Sequence, residues 1–180
     1  MCGIVAVTGY KKALPLLING LEKLEYRGYD SAGIAIINTE TNSITCNKAE
    51  GKLRNLINNL NNEIIPGTVG IGHTRWATHG KPEFKNAHPH VDSSGTIAVV
   101  QNGIIENFQD LKNKLEKEGI IFNSDTDTEV IPHLIQRELN TLSKLNLENN
   151  GSTLLVAVRN VISDLEGSYA LAVLLSLIHI

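Results

Sequence analysis

Short runs of Ile, Val and Ala with strand-like character recur in neighbouring groups along this chain, and stretches of helical period fall between the groups. Residues 2–8 (CGIVAVT) read as a buried strand ended by Gly9. Residues 31–38 and 43–49, joined by the polar turn Thr39-Glu40-Thr41-Asn42, read as a hairpin. Strands are also predicted over 68–74, 96–101, 120–123 and 168–175. Helices are predicted from about residue 11, where Leu14, Leu17, Leu21 and Leu24 share one face, over 52–60, and from about Asn107 to a stop at Gly119. Two more are predicted from Thr126-Asp127-Thr128-Glu129, a capping-box pattern with Pro132 in the tolerant first turn, to about Leu142, and from Ser152 to about Leu165. Paired strand groups with helices between them predict an α+β fold of two antiparallel sheets carrying helices on their outer faces.

At 180 residues the chain has the length of one domain and enough mass to bury a core. Hydrophobic residues make up 42% and charged residues 19%, the balance of a soluble globular protein. A net charge of −3 with scattered basic residues argues against a nucleic-acid surface, which needs clustered Lys and Arg. No charged-then-apolar leader and no bilayer-length apolar run is present, so neither nucleic acid nor membrane is an expected partner and a cytoplasmic location is expected. Two cysteines are too few for a disulfide scaffold. Cys46, in an alternating strand-like run, is expected to pack; residues 146–151 are expected to form a polar linker.

Cys2 stands directly behind the initiator methionine. Removal of Met1, normal when the next residue is this small, would place a thiol and a free α-amine on one residue. The two groups have nearly matched proton affinities, so the amine can take the thiol proton as sulfur attacks a carbonyl. Such acyl chemistry also needs donors aimed at an oxyanion. Asn102-Gly103, expected at the end of the 96–101 strand, supplies an amide NH2 and an unhindered backbone N–H, although Asn-Gly by itself is mostly a turn signal. Arg75-Trp76-Ala77-Thr78-His79-Gly80 places a guanidinium, an indole and an imidazole in a loop without apolar period. A guanidinium fork fits a carboxylate, the plain alternative being a solvated Arg beside a core Trp. Asp125-Thr126-Asp127-Thr128-Glu129 fails as a calcium loop on spacing. Helix capping accounts for Thr126 and Glu129 and leaves Asp127 for a cationic group. His73, His79, His88 and His90 lack the spacing and cysteine partners of common zinc sites, so no metal and no cofactor is expected.

Cys2-Gly3-Ile4, Glu25-Tyr26-Arg27-Gly28-Tyr29-Asp30-Ser31-Ala32-Gly33, His73-Thr74-Arg75-Trp76-Ala77-Thr78-His79-Gly80, Asn86-Ala87-His88-Pro89-His90, Asn102-Gly103-Ile104-Ile105-Glu106-Asn107 and Ser124-Asp125-Thr126-Asp127-Thr128-Glu129 together resemble the class II, N-terminal-nucleophile glutamine amidotransferases, over positions 2 to about 174. The resemblance implies a four-layer α/β/β/α sandwich of the Ntn-hydrolase type. It implies that Cys2 attacks the side-chain amide of L-glutamine, that Asn102 and Gly103 hold the oxyanion, and that Arg75 and Asp127 take the substrate's α-carboxylate and α-ammonium. Thr78 and His79 would line the same pocket in a closing loop, and Trp76 would screen departing ammonia from solvent.

Within the family the motifs look most like the sugar-phosphate branch, in which ammonia would serve conversion of fructose 6-phosphate to glucosamine 6-phosphate in a full-length homodimer. The other readings are an amidophosphoribosyltransferase or asparagine synthetase type of glutaminase, or an inactive fragment that only binds glutamine. The chain stops at Ile180. The expectation is therefore an incomplete, C-terminally truncated glutaminase domain over 2–175, an atypical tail over 176–180, and no sugar-isomerase domains.

Overall fold

A computed structural model describes residues 2–61, 64–77, 80–145 and 151–176. The first sheet contains β1 (Gly3–Val7), β2 (Ser31–Asn38), β3 (Ser43–Glu50) and β4 (Gly70–Arg75), in the order β1-β4-β2-β3. All its pairs are antiparallel, with Ile4 opposite His73 and Ala32 opposite Thr74. The second sheet contains β5 (His90–Val91), β6 (Ile97–Ile105) and β7 (Gly167–Leu175), in that order and also antiparallel.

Alternation along each strand sorts side chains between two faces. On β2, Ala32, Ile34 and Ile36 face α1 (Ala13–Leu24) and α2 (Leu53–Leu60), while Ala35 and Ile37 face the other sheet. On β6, Ile97, Val99 and Ile105 face α3 (Phe108–Lys117), α4 (Val130–Lys144) and α5 (Gly151–Asp164), while Ala98 and Val100 face the first sheet. Strand β7 divides likewise, Tyr169, Leu171, Val173 and Leu175 to the helices and Ala172 and Leu174 inward. The layers run α/β/β/α, as expected. The middle layer is built partly from Ala35, Ala98 and Ala172, small residues that let the two sheets approach.

Helix α1 buries Leu17 and Leu21 completely and carries Gly20 over Val5, where an added Cβ would come within 2.8 Å of a valine methyl. A single 3₁₀ turn, Glu25–Arg27, ends it. The Glu25 carboxylate crosses to accept the Leu53 N–H at 3.0 Å and so satisfies the start of α2, which has no side-chain cap from Lys52.

Five local expectations need correction. Residues 120–123 form no strand, because the Asn123 and Ser124 N–H groups donate to the Glu129 carboxylate at 2.8 and 2.6 Å instead of joining a ladder. Helix α4 accordingly starts at Val130 rather than at the capping-box residues; the Thr126 hydroxyl meets Ser124 Oγ and His90 Nε2. Strand β6 does not end at Gln101 but runs through Asn102 and Gly103, paired to Ala170 and Tyr169. Cys46 is exposed on β3, an edge strand, and is not packed. Helix α5 begins at Gly151, leaving Ser152 inside it, and residues 146–150 of the expected linker lie outside the described residues, as do 177–180 of the tail.

Replacing Leu21 with Ala removes a fully buried side chain from the α1 face. It should lower stability by about 2–5 kcal/mol in urea denaturation, whereas a loss under about 1 kcal/mol would mean that this face does not hold α1.

Candidate functional site

The inward faces of three strands end in polar residues at the same end of the middle layer. Along β4 and the residue before it, Val69, Ile71, His73 and Arg75 alternate onto one face, the first two apolar and the last two not. Ile4 lies inward on β1, so Cys2, two residues before it, lies on the same side. On β6, Ala98 and Val100 are followed two positions on by Asn102. A cavity of about 570 Å³ opens there, lined by Cys2, Arg75, Trp76, Asn102, Gly103 and Asp127 among others.

Cys2 Sγ accepts the Trp76 N–H at 3.2 Å, and the Cys2 carbonyl accepts Asn102 Nδ2 at 3.2 Å. Asn102 Oδ1 lies 2.9 Å from His73 Nε2. Gly103 has φ of +113°, and a Cβ there would sit 2.0 Å from the Ser168 carbonyl, so only glycine fits between β6 and β7 at this point. Asp127 is 4% exposed and anchored by the Ile105 N–H, which donates to Oδ2 at 2.8 Å.

Arg75 is buried at 3% exposure while Trp76 is exposed at 43%, the reverse of a solvated Arg beside a core Trp. Burial lowers the Arg75 pKa, and the neighbouring Cys2, Asp30 and Asp127 oppose that shift. Its guanidinium donates to the Gly80 and Lys81 carbonyls at 3.1 and 3.3 Å. Trp76 packs edge-on against Tyr29, with centroids 5.4 Å apart, and Asp30 Oδ2 accepts the Ala77 N–H at 2.8 Å, fixing the chain next to Trp76. Asn86, fully buried, donates to the Lys81 carbonyl at 3.0 Å and accepts the Asp125 N–H at 2.8 Å, tying the Gly80–Lys81 segment to the loop that carries Asp127.

Six of the eight residues singled out from the sequence thus share one cavity: Cys2, Arg75, Trp76, Asn102, Gly103 and Asp127. Thr78 and His79 lie outside the described residues. Sequence reasoning gave no site role to His73, Asp30 or Asn86 individually. The alternation Ile71, His73, Arg75 carried a usable signal, because it puts His73 on the face of Arg75.

His73, His88 and His90 stack rather than converge: the His73 and His88 rings are 4.2 Å apart and nearly parallel, and His90 meets His88 edge-on at 4.8 Å. Among the described residues no cluster of His, Cys, Asp or Glu could hold a metal ion. Burial drives the His73 pKa down to about 4 and that of His90 to about 3, and holds His88 well below the usual imidazole range, so all three rings are neutral. Burial alone would raise Glu129, but His133 and the Asn123 and Ser124 donors bring its carboxyl down to about 2.

The family model for a glutamine amidotransferase domain matches residues 73–176. Curated relatives named glutamine–fructose-6-phosphate aminotransferase (isomerizing) include those of Thermosynechococcus vestitus, 53% identical over 97% of this chain and 26% of its own length, and Clostridium tetani, 53% identical over 98% and 27%. That of Pyrococcus horikoshii is 52% identical over 97% and 27%. The chain therefore spans about a quarter of the length of these relatives. Among solved structures, glutamine phosphoribosylpyrophosphate amidotransferase from B. subtilis superimposes with a TM-score of 0.76 at 28% identity, over 98% of this chain and 35% of that one. A structure described as the allosteric regulatory enzyme of purine biosynthesis gives a TM-score of 0.77 at 29% identity, over 97% and 35%.

The neutral histidine stack makes stability depend on pH. From the ordinary imidazole pKa of about 6.5 down to the folded values, the unfolded chain binds protons that the folded chain does not, so stability falls as pH drops through that window. The depressed Glu129 carboxyl acts in the same direction below its ordinary value. The urea midpoint should therefore be lower at about pH 5 than at pH 7.5, by a free energy on the order of a few kcal/mol. An unchanged midpoint would mean that the rings are not held neutral in the folded protein.

Proposed function

The chain belongs to the glutamine amidotransferase family, and from that premise we propose that its cavity hydrolyses L-glutamine with Cys2 as the nucleophile. The observation that carries this reading is the meeting of Cys2, Asn102, Arg75 and Asp127 in one cavity at the open end of the middle layer. A buried cation and a buried carboxylate suit the carboxylate and ammonium of an α-amino acid. Trimming of Met1 frees the Cys2 amine, which takes the thiol proton as Sγ bonds to the side-chain amide carbon of glutamine. The carbonyl oxygen becomes an oxyanion, held by Asn102 Nδ2 and the Gly103 N–H. When the tetrahedral centre collapses, its carbon–nitrogen bond breaks, the departing nitrogen takes the proton and leaves as ammonia, and a γ-glutamyl thioester remains. Water then attacks the thioester, giving glutamate and the free thiol.

Trp76 lines the cavity and packs against Tyr29, which supports a role for it in shielding ammonia on its way out. Protection from water matters because ammonium, unlike ammonia, has no lone pair with which to attack a carbonyl. We further propose that this ammonia serves conversion of fructose 6-phosphate to glucosamine 6-phosphate in a longer protein. The 53% identity to aminotransferases of that name, against 28% to the phosphoribosylpyrophosphate enzyme, favours this acceptor. The cytoplasm is the proposed location, since both cysteines are free and one is exposed, as a reducing compartment allows.

Glutamate and ammonia release from glutamine tests the reading, on this chain and on a form extended to the relatives' length, after mass spectrometry has established that Met1 is gone. Cys2→Ala should lower turnover by about ten-thousandfold, and undiminished activity in that variant would overturn the mechanism. Asp127→Ala should act mainly through binding, raising KM for glutamine by about 10- to 100-fold, the range of a lost charge-assisted hydrogen bond. An unchanged KM would remove Asp127 from the substrate site.

A further inference from the structure

The Asn102 side chain can face either way, with its oxygen or its NH2 group toward the reacting centre, and only the second orientation can stabilise an oxyanion. Two neighbours decide between them. His73 Nε2 lies 3.1 Å from the Gln101 carbonyl and 2.9 Å from Asn102. A backbone carbonyl only accepts, so this nitrogen must carry the proton, and the Asn102 atom facing it must be the amide oxygen. On the other side the Cys2 carbonyl, also only an acceptor, lies 3.2 Å from the remaining amide atom, which must be the nitrogen. The two constraints agree and point the NH2 group at the residue that carries the nucleophile.

The His73 ring itself has no freedom to turn. It has no exposed surface, sits inward on β4 two residues from Arg75, and is stacked on His88. His88 in turn is pinned by the Gln101 N–H, which donates to Nδ1 at 3.2 Å, and by Thr128 Oγ1, 3.3 Å from Nε2. The Thr128 hydroxyl donates to Gln101 Oε1 at 2.8 Å, closing a polar cluster between β6 and the start of α4.

We infer that His73 is a positioning residue of the glutaminase site: its Nε2–H locks the Asn102 amide with the NH2 group toward Cys2, so that the oxyanion donor is in place before glutamine binds. The inference rests on the proposed role of Asn102. It assigns His73 no contact with substrate, and its contribution falls on the barrier rather than on binding.

The test is a double-mutant cycle on whichever form of the protein hydrolyses glutamine. Asn102→Ala should lower kcat by about 100- to 1,000-fold, and a wild-type kcat in that variant would sink the Asn102 reading itself. His73→Leu should lower kcat by about 10- to 100-fold with KM for glutamine within about twofold of wild type. His73→Gln, whose amide can restore a donor near the Nε2 position, should recover kcat to within about fivefold of wild type. On the Asn102→Ala background, His73→Leu should cost less than about threefold more, because the group it positions is gone. A full additional loss on that background, or a Gln variant no better than Leu, would reduce His73 to a packing residue and overturn the inference while leaving Asn102 in its role. If Leu at this buried position abolishes the cooperative melt, His73→Met takes its place in the same cycle.

Discussion

The two-residue repeat of a β-strand, applied to three strands that meet at one end of the middle layer, is the constraint on which the site depends. Every second residue of β1, β4 and β6 points into the space between the sheets. For most of that space the inward residues are Ile, Val and Ala. At one end the repeat continues while the chemistry changes, and Cys2, His73, Arg75 and Asn102 take the inward positions. The reactive groups are held by the same ladders that hold the core, so the placement of each is fixed by the register of its strand.

That origin explains why the site combines strong burial with two charges and a neutral polar ring. Arg75, Asp127 and His73 are nearly inaccessible to solvent, and each is stabilised by specific partners: backbone carbonyls for Arg75, the Ile105 N–H for Asp127, and the Gln101 carbonyl and Asn102 amide for His73. A dry, prearranged set of dipoles is what stabilisation of a developing oxyanion requires. Gly103 shows how tight the arrangement is, since its positive φ and the Ser168 carbonyl beside it exclude any side chain.

Side-chain to backbone bonds do much of the work that regular structure leaves undone. Glu129 was readable as a capping residue for α4, yet its carboxylate turns back to the Asn123 and Ser124 donors and prevents the short strand that the apolar content of residues 120–123 suggested. Asn86 and Asp30 tie loops to the edges of the cavity in the same way. Such bonds depend on where a polar side chain ends up in space, and local pattern carries no information about that.

The chain's own sequence determined the six longer strands, their two-faced alternation and the helices between them, since these follow from hydrophobic period and turn chemistry. It also brought Cys2, Arg75, Asn102 and Asp127 forward as reactive types, even where a strand or turn reading accounted for the local pattern. Tertiary structure alone decided that β1 pairs with β4, that the inward face of β6 packs against the first sheet, and that Asn102 lies inside a strand rather than at its end. The reason is physical: alternation tells which residues share a face, but long-range pairing decides what that face meets. His73 became the partner of Asn102, 29 positions along the chain, only when two sheets closed over the same layer.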